Sequence, residues 1–128
     1  PQENYYYAVE KTNFEPNPVR RDGSYGKYSG IDDKMEDLHY YMQVIKFGMG
    51  RATWDAAQEI RTDKITREEG IALVKKYDQE IPKTFLKDIL EYLDISESYF
   101  WKVIEKHRNP KIWEKSYDGK WKLKVEIS

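Results

Sequence analysis

The fold is decided by the stretch Lys46-Phe47-Gly48-Met49-Gly50-Arg51-Ala52-Thr53, which places two glycines between two cations. Apolar residues recur at helical spacing before this stretch, and small residues follow it, so the pattern predicts a junction between two helices. The same composition also suits an anion site, in which backbone amides at a helix start bind the anion and Lys46 and Arg51 add charge. Spacing alone favours the junction.

The helix before the junction is predicted over residues 33–47. Asp32 and Asp33 offer carboxylates that cap free amides at a helix start. Gly48 suits the position just after a helix, where left-handed geometry is favoured. Thr53 is a candidate cap for the next helix, with Arg51 as an alternative helix start, and the alanines of that helix form a small face that permits a close neighbour.

Further helices are predicted between the junction and residue 109. Thr66 followed by Glu69 is a capping box for a helix over residues 67–77. Gly70 weakens that helix by about 1 kcal/mol relative to alanine, which suggests that its small size permits a tight contact. Ser96 is predicted to cap the last helix.

The two ends of the chain differ from the helical middle. Residues 1–31 are aromatic, rich in turns and predicted to be irregular, although Tyr5-Tyr6-Tyr7-Ala8-Val9 fits a strand or the end of a helix that begins upstream. Residues 111–127 predict a β-hairpin, because Asp118-Gly119 suits the positive dihedrals of a two-residue turn. The predicted fold is a single, mainly α domain of four to five short helices over residues 32–109, with a C-terminal β-hairpin.

Composition excludes several classes of function. The chain of 128 residues has a net charge of −1 and no cysteine. Disulfides and thiolate metal sites are therefore excluded. No bulk field draws the chain to nucleic acid or acidic lipid. The longest aliphatic run, Ile71-Ala72-Leu73-Val74, is too short to span a bilayer, so no membrane partner is predicted.

Two groups of residues suggest metal or acid–base chemistry. Residues 32–37 contain four carboxylates that could hold Mg²⁺ beside phosphates. A helix cap with a solvated face is the favoured interpretation. His39 could act as a general base, but a histidine at the edge of the core is favoured. Spacing indicates no metal site.

The C-terminal part is locally basic. Residues 102–124 carry eight lysines and arginines against three carboxylates, and Trp101, Trp113 and Trp121 lie among them. Aromatic and basic residues together can bind RNA. The balanced total charge and the alternation of the hairpin favour a solvated strand face instead, so nucleic acid is not the preferred partner.

A series of motifs runs through most of the chain and is densest over residues 28–78. The motifs are YYYAVE at 5–10, FEPNP at 14–18, KYSGIDDK at 27–34, HYY at 39–41, IKFGMGRAT at 45–53, DAAQEIR at 55–61 and ITREEG at 65–70. Together they resemble the late part of the N-acetyl sugar amidotransferases of surface-polysaccharide (lipopolysaccharide, O-antigen) biosynthesis.

The resemblance implies an ATP-dependent parent enzyme of the PP-loop ATP pyrophosphatase type. Such enzymes activate the carbonyl of a sugar acetamido group with ATP and Mg²⁺, and ammonia from a separate glutaminase subunit then gives the acetamidino sugar. Their nucleotide site uses an SGGxDS-type loop, which is absent from this sequence. We therefore expect a cytoplasmic C-terminal fragment of a larger α/β enzyme, with no catalytic residue assigned in this chain.

The resemblance also marks candidate residues for binding substrate or phosphate. They are Lys46, Gly48, Gly50, Arg51 and Thr53, with Asp32, Asp33 and Lys34 expected to close the same site and His39 as a further candidate. Lys46 and Arg51 match basic positions of the family pattern, and we hypothesise that they stabilise charge on the leaving pyrophosphate.

The expected partners are the upstream ATP-binding domain, a sugar-nucleotide substrate and the glutaminase. The alternatives are a non-catalytic helical module that docks the glutaminase or another subunit, and an RNA-binding module that uses the basic tail.

Overall fold

The computed structural model describes residues 2–128 and is mainly helical, as predicted. Within that range it has six helices and one two-stranded antiparallel sheet. The helices are α1 (Gln2–Lys11), α2 (Glu36–Phe47), α3 (Arg51–Arg61), α4 (Arg67–Tyr77), α5 (Leu86–Leu93) and α6 (Glu97–His107). The strands are β1 (Trp113–Lys115) and β2 (Trp121–Leu123). The predicted number of helices, four to five, is therefore at least one too low.

The additional helix is α1, which lies where residues 1–31 were predicted to be irregular. The helical alternative for its tyrosines is the one observed. Tyr5 stacks on Tyr28 with ring centroids 5.1 Å apart and meets the edge of Phe14 at 6.2 Å. These partners lie in the loop that follows, so tertiary aromatic contacts stabilise a helix that shows little apolar periodicity.

The predicted junction between α2 and α3 is confirmed. Gly48 has a left-handed φ of 78° and donates its N–H to the Val44 carbonyl at 2.8 Å. α3 begins at Arg51 with Gly50 as its N-cap. The alternative start at Arg51 is therefore confirmed, whereas Thr53 lies inside the first turn and its prediction as the cap is wrong.

The start of α2 also differs from the prediction. α2 begins at Glu36, and Met35 occupies the cap position without a side-chain cap. Asp33 accepts a hydrogen bond from the Met35 amide at 2.7 Å, which forms a turn just before the helix. The capping carboxylate expected from Asp32 or Asp33 therefore serves this turn instead.

The carboxylate that caps α3 comes from the end of α4. Asp78 accepts hydrogen bonds from the Gly50 amide (2.8 Å), the Thr53 amide (3.0 Å) and the Thr53 hydroxyl (2.8 Å). Its exposed fraction is 4%. A Cβ at Gly50 would lie 2.5 Å from Val44 Cγ2 and 3.0 Å from Asp78 Oδ1, so only glycine permits this approach.

α3 and α4 pack closely at Gly70. A Cβ at Gly70 would lie 2.6 Å from Ile60 Cδ1, which confirms the predicted tight contact. The capping box of α4 is also confirmed, because Thr66 accepts from the Glu69 amide and Glu69 accepts from the Thr66 amide. A local cap and a close helix contact thus fix this pair.

The main apolar core lies between α2, α6 and the hairpin. Its buried members are Tyr41, Val44, Ile45, Phe100, Ile104 and Trp113. The Trp113 indole donates to the Ile45 carbonyl at 2.9 Å, so the hairpin is bonded to α2 as well as packed on it. Ser96 caps α6 by accepting from the Tyr99 amide, as predicted.

The predicted C-terminal hairpin is confirmed, but its strands are short. Trp113 pairs with Leu123, and Lys115 pairs with Trp121. The predicted two-residue turn is wrong, because residues 116–120 join the strands and only Gly119 among them takes a positive φ, of 79°. The alternating pattern continues beyond β2 without a strand, and Val125 is 85% exposed.

The segment between α1 and α2 is anchored by two arginines. Arg21 is buried and donates to Asp37 at 2.6 Å. Arg20 makes two bonds of 2.6 Å with Glu80. The Gly23 carbonyl in the same segment accepts from the Ala52 amide at 3.1 Å, so the segment also reaches the start of α3.

Within residues 2–128, every helix lacks either the length or the hydropathy needed to cross a bilayer.

Asp78→Ala is expected to lower the free energy of unfolding by about 3 kcal/mol, because three charge-assisted bonds are lost and the buried Gly50 amide is left unpaired. Urea denaturation measures the change. Asp88→Ala is the control, since its ion pair with Lys34 is exposed and is worth less than about 1 kcal/mol. Equal losses in the two variants would contradict the capping role of Asp78.

A double-mutant cycle tests the contact between α3 and α4. Gly70→Ala should raise the helix propensity of α4, but the new Cβ would clash with Ile60 Cδ1, and the clash should cancel the gain in stability. Ile60→Val removes Cδ1 at a cost of about 1 kcal/mol. We expect the double variant to be more stable than the sum of the single effects by about 1 kcal/mol, measured by thermal and urea unfolding. Additive effects would show that Cδ1 does not limit this position.

Candidate functional site

The candidate residues lie on three different surfaces. His39 and Arg51 line a groove of about 540 Å³ between α2 and α3, called here the α2/α3 groove. Gly48 and Thr53 line a second groove beneath the C-terminal tail. Asp33 and Lys34 line a third surface beside α5, and Asp33 also shares a cleft at the start of α2 with His39. The structure does not bring the nine candidates into one site.

Four backbone amides of the junction already have partners within the chain. The Gly48 amide bonds to Val44, the Gly50 and Thr53 amides bond to Asp78, and the Ala52 amide bonds to the Gly23 carbonyl. The buried carboxylate of Asp78 therefore occupies the place that an external anion would take at this helix start.

Lys46 lies apart from the α2/α3 groove. It is exposed in the last turn of α2, with its ammonium 5.4 Å from the centroid of the Phe47 ring. Its carbonyl accepts a hydrogen bond of 3.4 Å from the Asn109 side chain. Lys46 and Arg51 thus flank the same turn without lining the same groove.

The acidic cluster before α2 is divided among separate partners. Asp37 is buried against Arg21, and Glu36 accepts a hydrogen bond from the Tyr40 hydroxyl. Lys34 pairs with Asp88 of α5. Asp32 is exposed in the loop. These carboxylates therefore do not converge on one cation.

The α2/α3 groove is formed by one face of each helix. Its polar and aromatic lining comprises Glu36, His39, Tyr40 and Gln43 from α2, and Arg51, Trp54, Asp55, Gln58 and Arg61 from α3. Within each helix these positions are three, four and seven residues apart or a further turn along, which places them on one side. The spacing can be read from the sequence. That the two helix faces form a groove is known only once α2 and α3 are seen to lie side by side.

Arg51 is held in the groove by a partner on its own helix. Its Nε lies 3.0 Å from both carboxylate oxygens of Asp55, and its guanidinium carbon lies 5.7 Å from the centroid of the Tyr40 ring. Both bonds use Nε, so within residues 2–128 the terminal nitrogens keep their hydrogen-bonding capacity. Burial raises the pKa of Asp55, although the bond to Arg51 opposes that shift.

Tyr40 and Trp54 present different chemistry to the groove. Burial, together with the hydrogen bond to Glu36, raises the pKa of Tyr40 to about 12, so the phenol stays protonated at neutral pH. Trp54 is 63% exposed, which is unusual for so large an apolar side chain. The groove therefore combines an aromatic surface with cationic and neutral donors.

A buried polar layer lies on another side of α3. Glu59 is 3% exposed, and its Oε1 has no hydrogen-bond partner within the described residues. The Tyr25 hydroxyl is likewise unpaired there. Burial raises the pKa of Glu59, the nearby Tyr25 hydroxyl opposes that shift, and the charge of Asp55 adds to it. Sequence reasoning missed Glu59 and Asp55, although two acids four residues apart among alanines mark a helix side that is not simply solvated.

Comparison with known proteins supports one family. The family model described as "LPS biosynthesis protein WbpG-like, C-terminal domain" matches residues 10–127. The matched range contains both α2 and α3 and therefore the whole α2/α3 groove. No curated protein matches the chain.

Glu59→Gln is expected to stabilise the protein at pH 7.5 by about 1 kcal/mol, because it removes a buried carboxylate with an unpaired oxygen. Because the pKa of Glu59 is raised in the folded state, its protonated carboxyl group favours folding below the ordinary pKa of glutamate. This contribution to stability is lost as pH rises through the raised value. The advantage of Glu59→Gln should therefore shrink as pH falls from 7.5 to 4.5.

Urea denaturation across that pH range measures this change. The matched control is Glu91→Gln, because Glu91 is exposed on α5. A benefit of Glu59→Gln that does not vary with pH would contradict the burial of the charge as its cause.

Proposed function

The chain belongs to the WbpG-like C-terminal domain family of lipopolysaccharide biosynthesis proteins, and we propose that it completes the substrate pocket of an ATP-dependent sugar amidotransferase. In this proposal the parent enzyme converts an acetamido group of a sugar nucleotide to an acetamidino group. A partner glutaminase supplies the ammonia. The resemblance of the motifs in residues 5–70 to such enzymes supports this finer assignment.

We assign ATP and Mg²⁺ to the upstream domain. The residues of this chain do not suit these cofactors, because Asp78 and Gly23 engage the junction amides and the carboxylates of residues 32–37 point to separate partners. Bound ATP would supply activation of the acetamido carbonyl. The role left to this domain is to hold the sugar nucleotide in the correct position.

The observation that carries the proposal is the chemistry of the α2/α3 groove. Arg51 and Arg61 offer guanidinium groups, which suit the bidentate recognition of phosphate oxygens. Gln43 and Gln58 offer amides, which both donate to and accept from sugar hydroxyls. Trp54 offers an exposed indole face, on which a sugar or base can stack. These are the group types that a sugar nucleotide requires.

Residues around the groove take supporting roles in this proposal. His39 lies on its α2 wall and is proposed as a donor to the substrate. Lys46, exposed at the end of α2, is proposed to meet a phosphate that the upstream domain presents. For Gly48, Gly50 and Thr53 we propose the role of fixing the angle between α2 and α3. Asp32, Asp33 and Lys34 are placed outside the pocket.

A second role, glutaminase docking, is favoured by an exposed apolar surface beside the junction. Phe47, Met49 and Val125 are all substantially exposed, and Met49 and Val125 line the second groove. Exposed apolar side chains in a cluster are typical of protein-interaction surfaces. This surface is separate from the α2/α3 groove, so the domain can both bind substrate and dock a subunit.

RNA binding is the least supported alternative. Trp113 is buried, and Trp121 packs against Arg108. Trp101 meets the edges of the Tyr41 and Phe100 rings. The three indoles that suggested base stacking are therefore engaged in contacts within the fold.

NMR titration of this chain with UDP-N-acetylglucosamine tests the pocket. We expect amide shifts in Gln43, Trp54 and Gln58 and in the Trp54 indole. Arg61→Gln should weaken binding about fivefold, since one phosphate contact is worth about 1 kcal/mol. Arg67→Gln is the matched control, because Arg67 lies at the start of α4 and outside the groove.

Two outcomes would contradict the substrate pocket. One is the absence of shifts at millimolar sugar nucleotide. The other is an equal loss of affinity in the Arg61 and Arg67 variants. Shifts confined to Phe47, Met49 and Val125, seen only when a glutaminase subunit is added, would favour the docking role alone.

A further inference from the structure

A further cleft, with both polar and apolar walls, lies between α2, the hairpin and the segment that follows α4. Its volume is about 260 Å³. Tyr41, Gln79, Arg108 and Lys120 line it together with apolar side chains. None of its lining residues is shared with the α2/α3 groove.

The guanidinium of Arg108 lies over two indole rings that border this cleft. Its central carbon lies 4.5 Å from the centroid of the Trp113 ring and 5.1 Å from that of Trp121. The side chain is 7% exposed. Stacking fixes the plane of the guanidinium and removes most of its water.

This buried cation has too few acceptors. Glu105 accepts from a terminal nitrogen of Arg108 at 3.4 Å, which is long for a charge-assisted bond. Glu105 also accepts from the Trp121 indole, so its carboxylate is shared. Nε of Arg108 has no partner among residues 2–128. A buried guanidinium with five donors normally has more of them satisfied.

A second cation stands at the rim of the cleft. Lys120 lies in the hairpin turn and is highly exposed, with its nearest carboxylate, Asp118, 3.4 Å away in solvent. Arg108 and Lys120 each have one carboxylate partner, Glu105 or Asp118, so the cleft has a surplus of N–H donors and not a surplus of formal charge. The chemistry that completes it is a small oxyanion.

The apolar side chains that line the cleft determine which kind of oxyanion it suits. Val44, Ile81 and Trp113 supply apolar surface within the same cleft. Such walls suit a compact apolar body better than a fully hydrated phosphate. We propose that this cleft is a binding site for a small carboxylate with an apolar body, whose carboxyl group pairs with Arg108 and Lys120.

Binding is tested with benzoate as the probe and tryptophan fluorescence as the readout, since two indoles border Arg108. Benzoate should change the emission saturably, and benzamide, which has the same shape without the charge, should not. Lys120→Met should weaken benzoate binding about fivefold, in line with the loss of one partly exposed charge contact. Arg108→Gln should abolish it.

Lys122→Met is the matched control, because Lys122 lies on the same hairpin, pairs with Glu114 and does not line the cleft. It should leave benzoate affinity unchanged. If Arg108→Gln fails to fold, the two lysine variants still decide the question.

Three outcomes would overturn the proposal. They are the absence of a response to benzoate at tens of millimolar, equal responses to benzoate and benzamide, and equal affinities in the two lysine variants. Displacement of benzoate by a lower concentration of inorganic phosphate would overturn the choice of a carboxylate over a phosphate.

Discussion

The carboxylate of Asp78 at the start of α3 is the interaction on which the rest of the structure depends. It joins the end of α4 to the junction that follows α2, and it does so through the amides that a helix start leaves unpaired. Because Gly50 must pass within contact of both Val44 and Asp78, the path of the chain at this point is narrowly defined. The angle between α2 and α3, and with it the shape of the α2/α3 groove, follows from that path.

Ion pairs that are wholly or partly buried define the remaining geometry. Arg21 with Asp37, Arg20 with Glu80 and Arg51 with Asp55 each tie a different pair of segments or turns. Buried ion pairs gain little net stability, since desolvation offsets most of their attraction, but an unpaired member is costly. They therefore penalise alternative packings of the long loop before α2 more strongly than they favour the observed one. A domain with a modest apolar core can reach one conformation in this way.

Local chemistry allowed much of the helical layout to be predicted from the sequence. The helix caps formed by Thr66 with Glu69, by Ser96 and by Gly48 use hydrogen bonds to groups only a few residues away in the chain. A short stretch of sequence is therefore enough to predict each of them. The cap of α3 could not be found in this manner, because Asp78 lies 28 residues from Gly50. α1 was not the preferred prediction for a related reason. The aromatic rings that contact Tyr5 and stabilise this helix lie in the loop that follows it. The candidate site was predicted in part, because His39 and Arg51 do line the same groove. Gly48 and Thr53 were expected at that site because they are close to Arg51 in sequence, but the fold places them on another groove.

The paired arginines before α2 also bear on the order in which the chain can assemble. Arg20 leaves the ribosome 60 residues ahead of Glu80, and Arg21 leaves 16 residues ahead of Asp37. During synthesis the Arg21–Asp37 pair can therefore form once α2 has emerged, whereas the Arg20–Glu80 pair must wait until α4 and the segment after it have emerged. Native contacts of large sequence separation close late because loop entropy must be overcome first. The α3–α4 pair, whose contacts are local, is then the natural nucleus, and the N-terminal segment wraps onto it as a closing step.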